Sequence, residues 1–155
     1  MIRIMSRRQA QSALIYDPNI PIIAIGETFG HEVEDQILSK ARNYICAKFD
    51  DVELERPGYS VATEDQIKQI IEWAKDKDDI IVACRAGISR SSAVAYLVES
   101  SKRGPEEAIK ILDMAWHQPN PTVVKVGSKI LGEQVNEVFQ KWRRELLTKL
   151  VQGLY

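Results

Sequence analysis

Short apolar runs alternate with longer stretches of helical periodicity along this chain. Four compact apolar runs, at residues 2–5, 21–26, 44–49 and 80–83, are typical of buried strands. Strands that alternate with helices favour parallel pairing. The pattern therefore predicts an α/β fold, with a central and mostly parallel sheet of about four or five strands flanked by helices.

Helix signals occupy the stretches between these runs and most of the C-terminal half. Ser6 is a predicted cap for a helix over residues 6–15, and Thr63 with Gln66 forms a predicted capping box. Further helices are predicted from residue 90 to 102, from Pro105 through Ala115, over 123–131, and from about 135 to the end. Helices are thus expected to dominate after the fourth strand.

Composition and charge limit the class of protein. The 155 residues are 45% hydrophobic and 28% charged, with a formal net charge of −1. We expect one domain over residues 1–155, with no general attraction to nucleic acid or acidic membranes. No apolar run approaches the roughly 20 residues that span a bilayer, and two cysteines do not make a disulfide framework. The expectation is a cytoplasmic protein with reduced thiols and no metal or other cofactor.

The most informative segment is residues 84–91, which read Cys-Arg-Ala-Gly-Ile-Ser-Arg-Ser. Cys84 follows the fourth apolar run, Gly87 lies at the centre, and Arg90 begins a predicted helix. This order aims backbone N–H groups, a helix N-terminus and a guanidinium at one point, with a thiol beneath it. Binding a phosphate dianion and attacking its phosphorus require these groups.

A proton donor for the leaving group is the next requirement of that chemistry. Asp50 and Asp51 end the third predicted strand and enter a loop, so either carboxyl group is a candidate. Ser91 directly follows Arg90 and is placed to give a hydrogen bond to the Cys84 sulfur. A buried structural cysteine and a solvated acidic turn are the alternative interpretations of these residues.

Residues 84–91 resemble the Cys-x5-Arg-Ser/Thr signature of cysteine-dependent protein tyrosine phosphatases, and of dual-specificity phosphatases in particular. An aspartate at the spacing of Asp51, 33 residues before Cys84, is similar to the general acid of that family. The resemblance covers about residues 40–150, and the stretch 118–121, Gln-Pro-Asn-Pro, is similar to a loop of small prokaryotic members. It implies a single phosphatase-like domain.

The resemblance also implies a role for each residue. Cys84 is the nucleophile, Arg90 the phosphate clamp, Asp51 the general acid and then base, and Ser91 an aid to the second step. The phosphate-binding residues it implies are Arg85, Ala86, Gly87, Ile88, Ser89 and Arg90. The implied reaction is hydrolysis of phosphate monoesters through a phosphocysteine intermediate, without a metal.

The chain departs from the family pattern at one position. Family signatures usually begin His-Cys, whereas this chain has Ala83 before Cys84. We therefore expect a slowed phosphatase, and the alternative is a catalytically impaired module that binds phosphorylated partners. The expected substrate is a phosphorylated protein or a small phosphate monoester, with no nucleic acid or membrane partner.

Overall fold

The computed structural model describes residues 1–154 and contains a four-stranded sheet whose paired strands are all parallel. The strands are β1 (Ile2–Ser6), β2 (Ile22–Gly26), β3 (Tyr44–Lys48) and β4 (Ile80–Cys84). Their order in the sheet is β1-β4-β2-β3, so β4 lies between β1 and β2. The predicted fold class, a parallel α/β sheet with flanking helices, is confirmed.

Six α-helices connect and follow the strands in the described part of the chain. They are α1 (Arg7–Tyr16), α2 (Glu64–Ala74), α3 (Arg90–Arg103), α4 (Pro105–Ala108), α5 (Pro121–Leu131) and α6 (Glu133–Val151). Single turns of π-helix and 3₁₀-helix occupy Glu34–Leu38 and Ile109–Ile111. Ser6 and Thr63 both cap helices through complete capping boxes, as each hydroxyl accepts from the N3 amide. None of these helices is long and apolar enough to cross a membrane.

Helices cover both faces of the sheet. On one face, Val82 and Cys84 of β4 pack in the larger core cluster with residues of α2, α3, α5 and α6. On the other face, Ile81 and Ala83 pack against α1 and the π-helical turn. Both β4 and the first eleven residues of α3 are buried, so the segment between them is anchored at each end.

The helix predicted from Pro105 through Ala115 is shorter than expected. It ends at Ile111 after one α-helical and one 3₁₀ turn, and Leu112 is extended with φ −84° and ψ 134°. The Asp113 carboxylate accepts from the Ala115 amide at 2.9 Å, and His117 Nδ1 accepts from the Asp113 amide at 2.9 Å. Such local side-chain bonds offer the backbone an alternative to helix, which explains the early end.

Candidate active site

The candidate site lies at the carboxyl edge of the sheet, where parallel sheets place their ligands. Each strand leads into it: Arg7 follows β1, Glu27 follows β2, Asp51 lies just beyond β3, and residues 84–90 follow β4. A cavity of about 730 Å³ opens there. The predicted residues that line it are Cys84, Arg85, Ala86, Ile88, Ser89, Arg90, Asp50 and Asp51.

The segment between β4 and α3, residues 84–90, is packed tightly against the junction of β1 and α1. Gly87 has φ +72°, and a Cβ there would lie 2.5 Å from the Ser6 amide nitrogen, so only glycine fits without a shift. The Arg7 amide donates to the Arg85 carbonyl at 3.3 Å. Gly87 therefore shapes the segment from outside the cavity rather than lining it.

The carbonyl groups of this segment are held by neighbours. The Gln118 amide donates to the Ile88 carbonyl at 3.0 Å, and the Asn120 amide donates to the Ser89 carbonyl at 3.2 Å. By contrast, the N–H groups of residues 85–89 donate no hydrogen bond to any of residues 1–154. Backbone N–H groups without an acceptor are the donors that bind an anion in such a segment.

Cys84 and Ser91 meet beneath the segment. The Cys84 thiol donates to Ser91 Oγ over 3.1 Å, and both side chains are buried. Ser91 lies in the first turn of α3 and does not line the cavity, so it can act on a group in the cavity only through the sulfur. When sulfur carries a negative charge, the hydroxyl becomes the donor of the same bond.

Arg90 is only 5% exposed and is fixed by three acceptors. Its Nη1 donates to the carbonyls of Gly26 and Phe49 at 3.4 and 3.0 Å, and its Nη2 donates to Glu27 Oε1 at 3.3 Å. A guanidinium has five N–H donors. Two therefore have no acceptor among residues 1–154, which is the number that a bidentate contact to phosphate uses.

Glu27 is a site residue that the sequence interpretation missed. Its carboxylate accepts from Arg7 Nη2 at 2.9 Å through Oε2 and from Arg90 through Oε1. Burial alone would raise the pKa of Glu27, but the hydrogen bond and charge of Arg7, with the charge of Arg90, hold that pKa below its ordinary value. The signal available in the sequence was its place directly after an apolar run that ends at glycine.

Arg7 was also missed, because in the sequence it looks like a surface residue of the first helical turn. It is 6% exposed, and its Nη2 also donates to the Ile25 carbonyl at 3.3 Å. Glu27 therefore lies between two buried guanidinium groups. One carboxylate facing two such cations leaves a net positive charge beside the Cys84 cavity, which favours an anionic ligand.

The two neighbouring aspartates have different environments. Asp50 accepts from the Thr28 amide, the Thr28 hydroxyl and the Ser60 amide, at 3.2, 2.6 and 2.8 Å. Desolvation raises the pKa of Asp50, but these hydrogen bonds outweigh it and lower that pKa. Asp50 is thus occupied in holding the loop.

Asp51 is exposed and faces the segment 84–90. Its Oδ1 accepts from Ser89 Oγ at 2.7 Å and from Asn120 Nδ2 at 2.9 Å. Its Oδ2 accepts no hydrogen bond from residues 1–154, so one oxygen positions the carboxyl group while the other remains free. Asn120, at the N-cap of α5, also donates to the Val52 carbonyl at 3.2 Å.

Comparison of the fold with solved structures gives clear matches, whereas no family model and no curated protein matches the sequence. Human DUSP28 matches with a TM-score of 0.60 and 16% identity, over 91% of this chain and 94% of that one. The human tyrosine phosphatase-like serine/threonine/tyrosine-interacting protein matches with a TM-score of 0.59 and 16% identity, over 83% and 89%. PTPMT1 in complex with PI(5)P matches with a TM-score of 0.55 and 15% identity, over 86% and 87%.

These similarities extend over most of each chain, so they concern the whole fold rather than one motif. At 15–16% identity they carry the architecture and not the reaction. They agree with the resemblance drawn from residues 84–91. The chain therefore has the fold of the dual-specificity branch of the protein tyrosine phosphatases.

Proposed function

We propose that this protein is a cysteine-dependent phosphatase that hydrolyses phosphate monoesters, with phosphorylated proteins as its substrates. The observation that carries the proposal is the convergence of Cys84, Arg90 and Asp51 on one cavity, beside backbone N–H groups without acceptors. The fold shared with dual-specificity phosphatases supports it.

The first chemical step uses Cys84 and Asp51. The phosphate dianion binds the N–H groups of residues 85–90 and the two remaining donors of Arg90, and the Cys84 thiolate attacks phosphorus. The bond from phosphorus to the ester oxygen breaks, and Asp51 gives its proton to that oxygen. The products are the free alcohol and a phosphocysteine.

The second step returns the enzyme to its starting state. The Asp51 carboxylate takes a proton from a water molecule, whose oxygen attacks phosphorus as the bond to sulfur breaks. Inorganic phosphate leaves, and the charge returns to the Cys84 sulfur. Ser91 Oγ, at 3.1 Å, then stabilises that charge as a hydrogen-bond donor.

We further propose that turnover is slow, because Ala83 supplies no polar side chain next to Cys84. Ala83 is 2% exposed and packs in the apolar cluster with Ala10, Leu14 and Val33. An imidazole placed there would overpack this cluster, at a cost of about 1–3 kcal/mol. We therefore expect Ala83→His to lower stability and not to restore a faster rate.

A phospho-binding module without catalysis is the second candidate function. One protein of the same fold is described as a tyrosine phosphatase-like interacting protein. The contacts of Arg90 and the N–H groups would serve binding equally well. A retained thiol, hydrogen-bonded to Ser91, favours the enzyme, because binding alone does not require a nucleophile.

Turnover of p-nitrophenyl phosphate between pH 5 and 8 tests the proposal. We expect phosphate release by the native chain and a loss of at least about 10⁴-fold in Cys84→Ser, since the nucleophile is gone. If the native chain binds phosphopeptides without turnover, the phosphatase proposal is rejected and the phospho-binding function is supported. Undiminished turnover by Cys84→Ser would exclude the cysteine mechanism.

A further inference from the structure

The cavity that contains Cys84 continues past the phosphate-binding segment as a groove along α6. Besides the candidate catalytic residues, its wall includes Trp142, Arg143, Leu146, Leu147 and Leu150. Its volume of about 730 Å³ falls in the range of about 300–1,000 Å³ that holds drug-sized ligands. A phosphate group fills a small part of that space, so the remainder is available to the group that carries the phosphate.

One wall of this groove is an apolar face of α6. Leu146 and Trp142 are buried and form its base, whereas Leu147 and Leu150 remain 50% and 41% exposed. Leu147 and Leu150 are three residues apart in the helix, so they lie on the same side. Two neighbouring leucines that face a cavity rather than the core offer apolar area to a ligand.

The second wall is the turn between Arg56 and Tyr59. The Tyr59 amide donates to the Arg56 carbonyl at 3.0 Å, and the Arg56 guanidinium lies 4.8 Å from the centre of the Tyr59 ring. Gly58 supplies the positive φ of +82° within the turn. The half-exposed Tyr59 ring thus lines the same cavity as the two leucines.

The charges of the lining side chains favour a peptide over a membrane as the occupant of the groove. Four carboxylates and four guanidinium groups line the same cavity, namely Glu27, Asp50, Asp51, Glu53, Arg56, Arg85, Arg90 and Arg143, and the whole chain has a formal net charge of −1. Attraction to an anionic bilayer requires an excess of clustered basic residues, and this balanced lining does not supply one. Gln118 adds an exposed polar side chain to the lining, which suits the hydrogen-bonding backbone of a peptide.

We propose that the groove between α6 and the turn at Arg56–Tyr59 binds an apolar side chain adjacent to the phosphorylated residue of a protein substrate. The proposal rests on the proposed function for the position of the phosphate. It makes Leu147 and Leu150 specificity-determining residues.

Two phosphotyrosyl peptides test this proposal, one with leucines on both sides of the phosphotyrosine and one with serines there. In a closed pocket one methylene discriminates by about 10–200-fold, and an open groove gives less, so we expect a leucine preference of about 10-fold in kcat/KM. Leu147→Ser combined with Leu150→Ser should reduce that preference to near one. Ile15→Ser is the matched control, because Ile15 is an exposed apolar residue at the end of α1 and lies outside the cavity.

Binding of the same peptides to Cys84→Ser by fluorescence anisotropy separates the two proposals. Tighter binding of the leucine peptide without any turnover by the native chain supports the groove and rejects the phosphatase. Equal affinities, or a preference that survives the double substitution, reject the groove. Stronger activity toward phospholipid in anionic vesicles than toward either peptide would also reject it, as would dimerisation abolished by the same substitutions.

Discussion

The segment that carries the proposed nucleophile and the segment that carries the proposed acid are built differently. Residues 84–91 join two buried elements, β4 and α3, and Cys84, Arg90 and Ser91 are themselves buried. The acid segment, residues 50–60, is mostly exposed, and Leu54 reaches 79% exposure. The proposed phosphate-binding half of the site is thus preformed by the core, whereas the proposed acid half depends on a few hydrogen bonds.

Most of those hydrogen bonds join the acid segment to residues far away in the sequence. Asp51 is held by Ser89 and Asn120, which lie 38 and 69 positions from it. Asp50 fixes the base of the segment through Thr28 and Ser60. The position of Asp51, the proposed acid, is therefore a property of the tertiary structure, and the neighbouring aspartates have separate hydrogen-bond partners.

Substitution of the two aspartates gives the largest expected difference within this comparison. Asp51→Asn should lower kcat by roughly 10²–10⁴-fold with p-nitrophenyl phosphate, because the amide cannot deliver a proton. Asp50→Asn is the matched control, and its main effect should be on stability through the bonds to Thr28 and Ser60. A larger loss of kcat in Asp50→Asn than in Asp51→Asn would show that Asp50, and not Asp51, is the general acid.

Glu27→Gln is the corresponding test of the preformed half. Removing the carboxylate leaves the buried Arg7 and Arg90 without their shared counter-charge, and because Glu27 is 25% exposed the cost in unfolding free energy should be smaller than the roughly 3–5 kcal/mol of a fully buried pair. We also expect KM for phosphate esters to rise more than kcat falls, because Arg90 loses the partner that orients it. Urea unfolding and steady-state kinetics measure both, with the exposed Glu32→Gln as the control.

The pH dependence of stability gives a smaller effect with a defined sign. Because the pKa of Glu27 is lowered in the folded state, its contribution is complete above its ordinary value of 4.5 and is lost as pH falls through the lowered value. The difference in unfolding free energy between the native chain and Glu27→Gln should be constant above about pH 4.5. It should shrink below that pH, and a difference that grows on acidification would contradict the ion pairs.

Whether a candidate site residue could be predicted depends on whether its neighbours in the site are also its neighbours in the sequence. Cys84, Gly87, Arg90 and Ser91 follow one another in the chain, so the local pattern of strand, glycine and helix start was sufficient to identify them. Arg7 and Glu27 reach the site only because the strand order places the ends of β1 and β2 on either side of β4. That order is decided by packing, which the local pattern does not reveal.

The fold could be predicted more fully than the hydrogen-bond partners of individual residues. Parallel strands follow from their alternation with helices, and the predicted cap at Ser6 and the predicted capping box at Thr63 placed the starts of α1 and α2 correctly. The helix after Pro105 was predicted too long, because Asp113 and His117 form a local turn that helical periodicity does not reveal. Asn120 was noticed only within a proline-bearing loop, and its bond to Asp51 required the tertiary structure.

Chemical quenching of the native chain during turnover is the sharpest test of the phosphocysteine mechanism. Mass spectrometry of peptides from protein quenched in alkaline denaturant, in which the bond between phosphorus and sulfur survives, within milliseconds of mixing with a phosphotyrosyl peptide locates any covalent phosphoryl group. We predict one phosphoryl group on the peptide that contains Cys84, and none in Cys84→Ser. Turnover accompanied by a phosphoryl group on another residue, or by none at all, would contradict it.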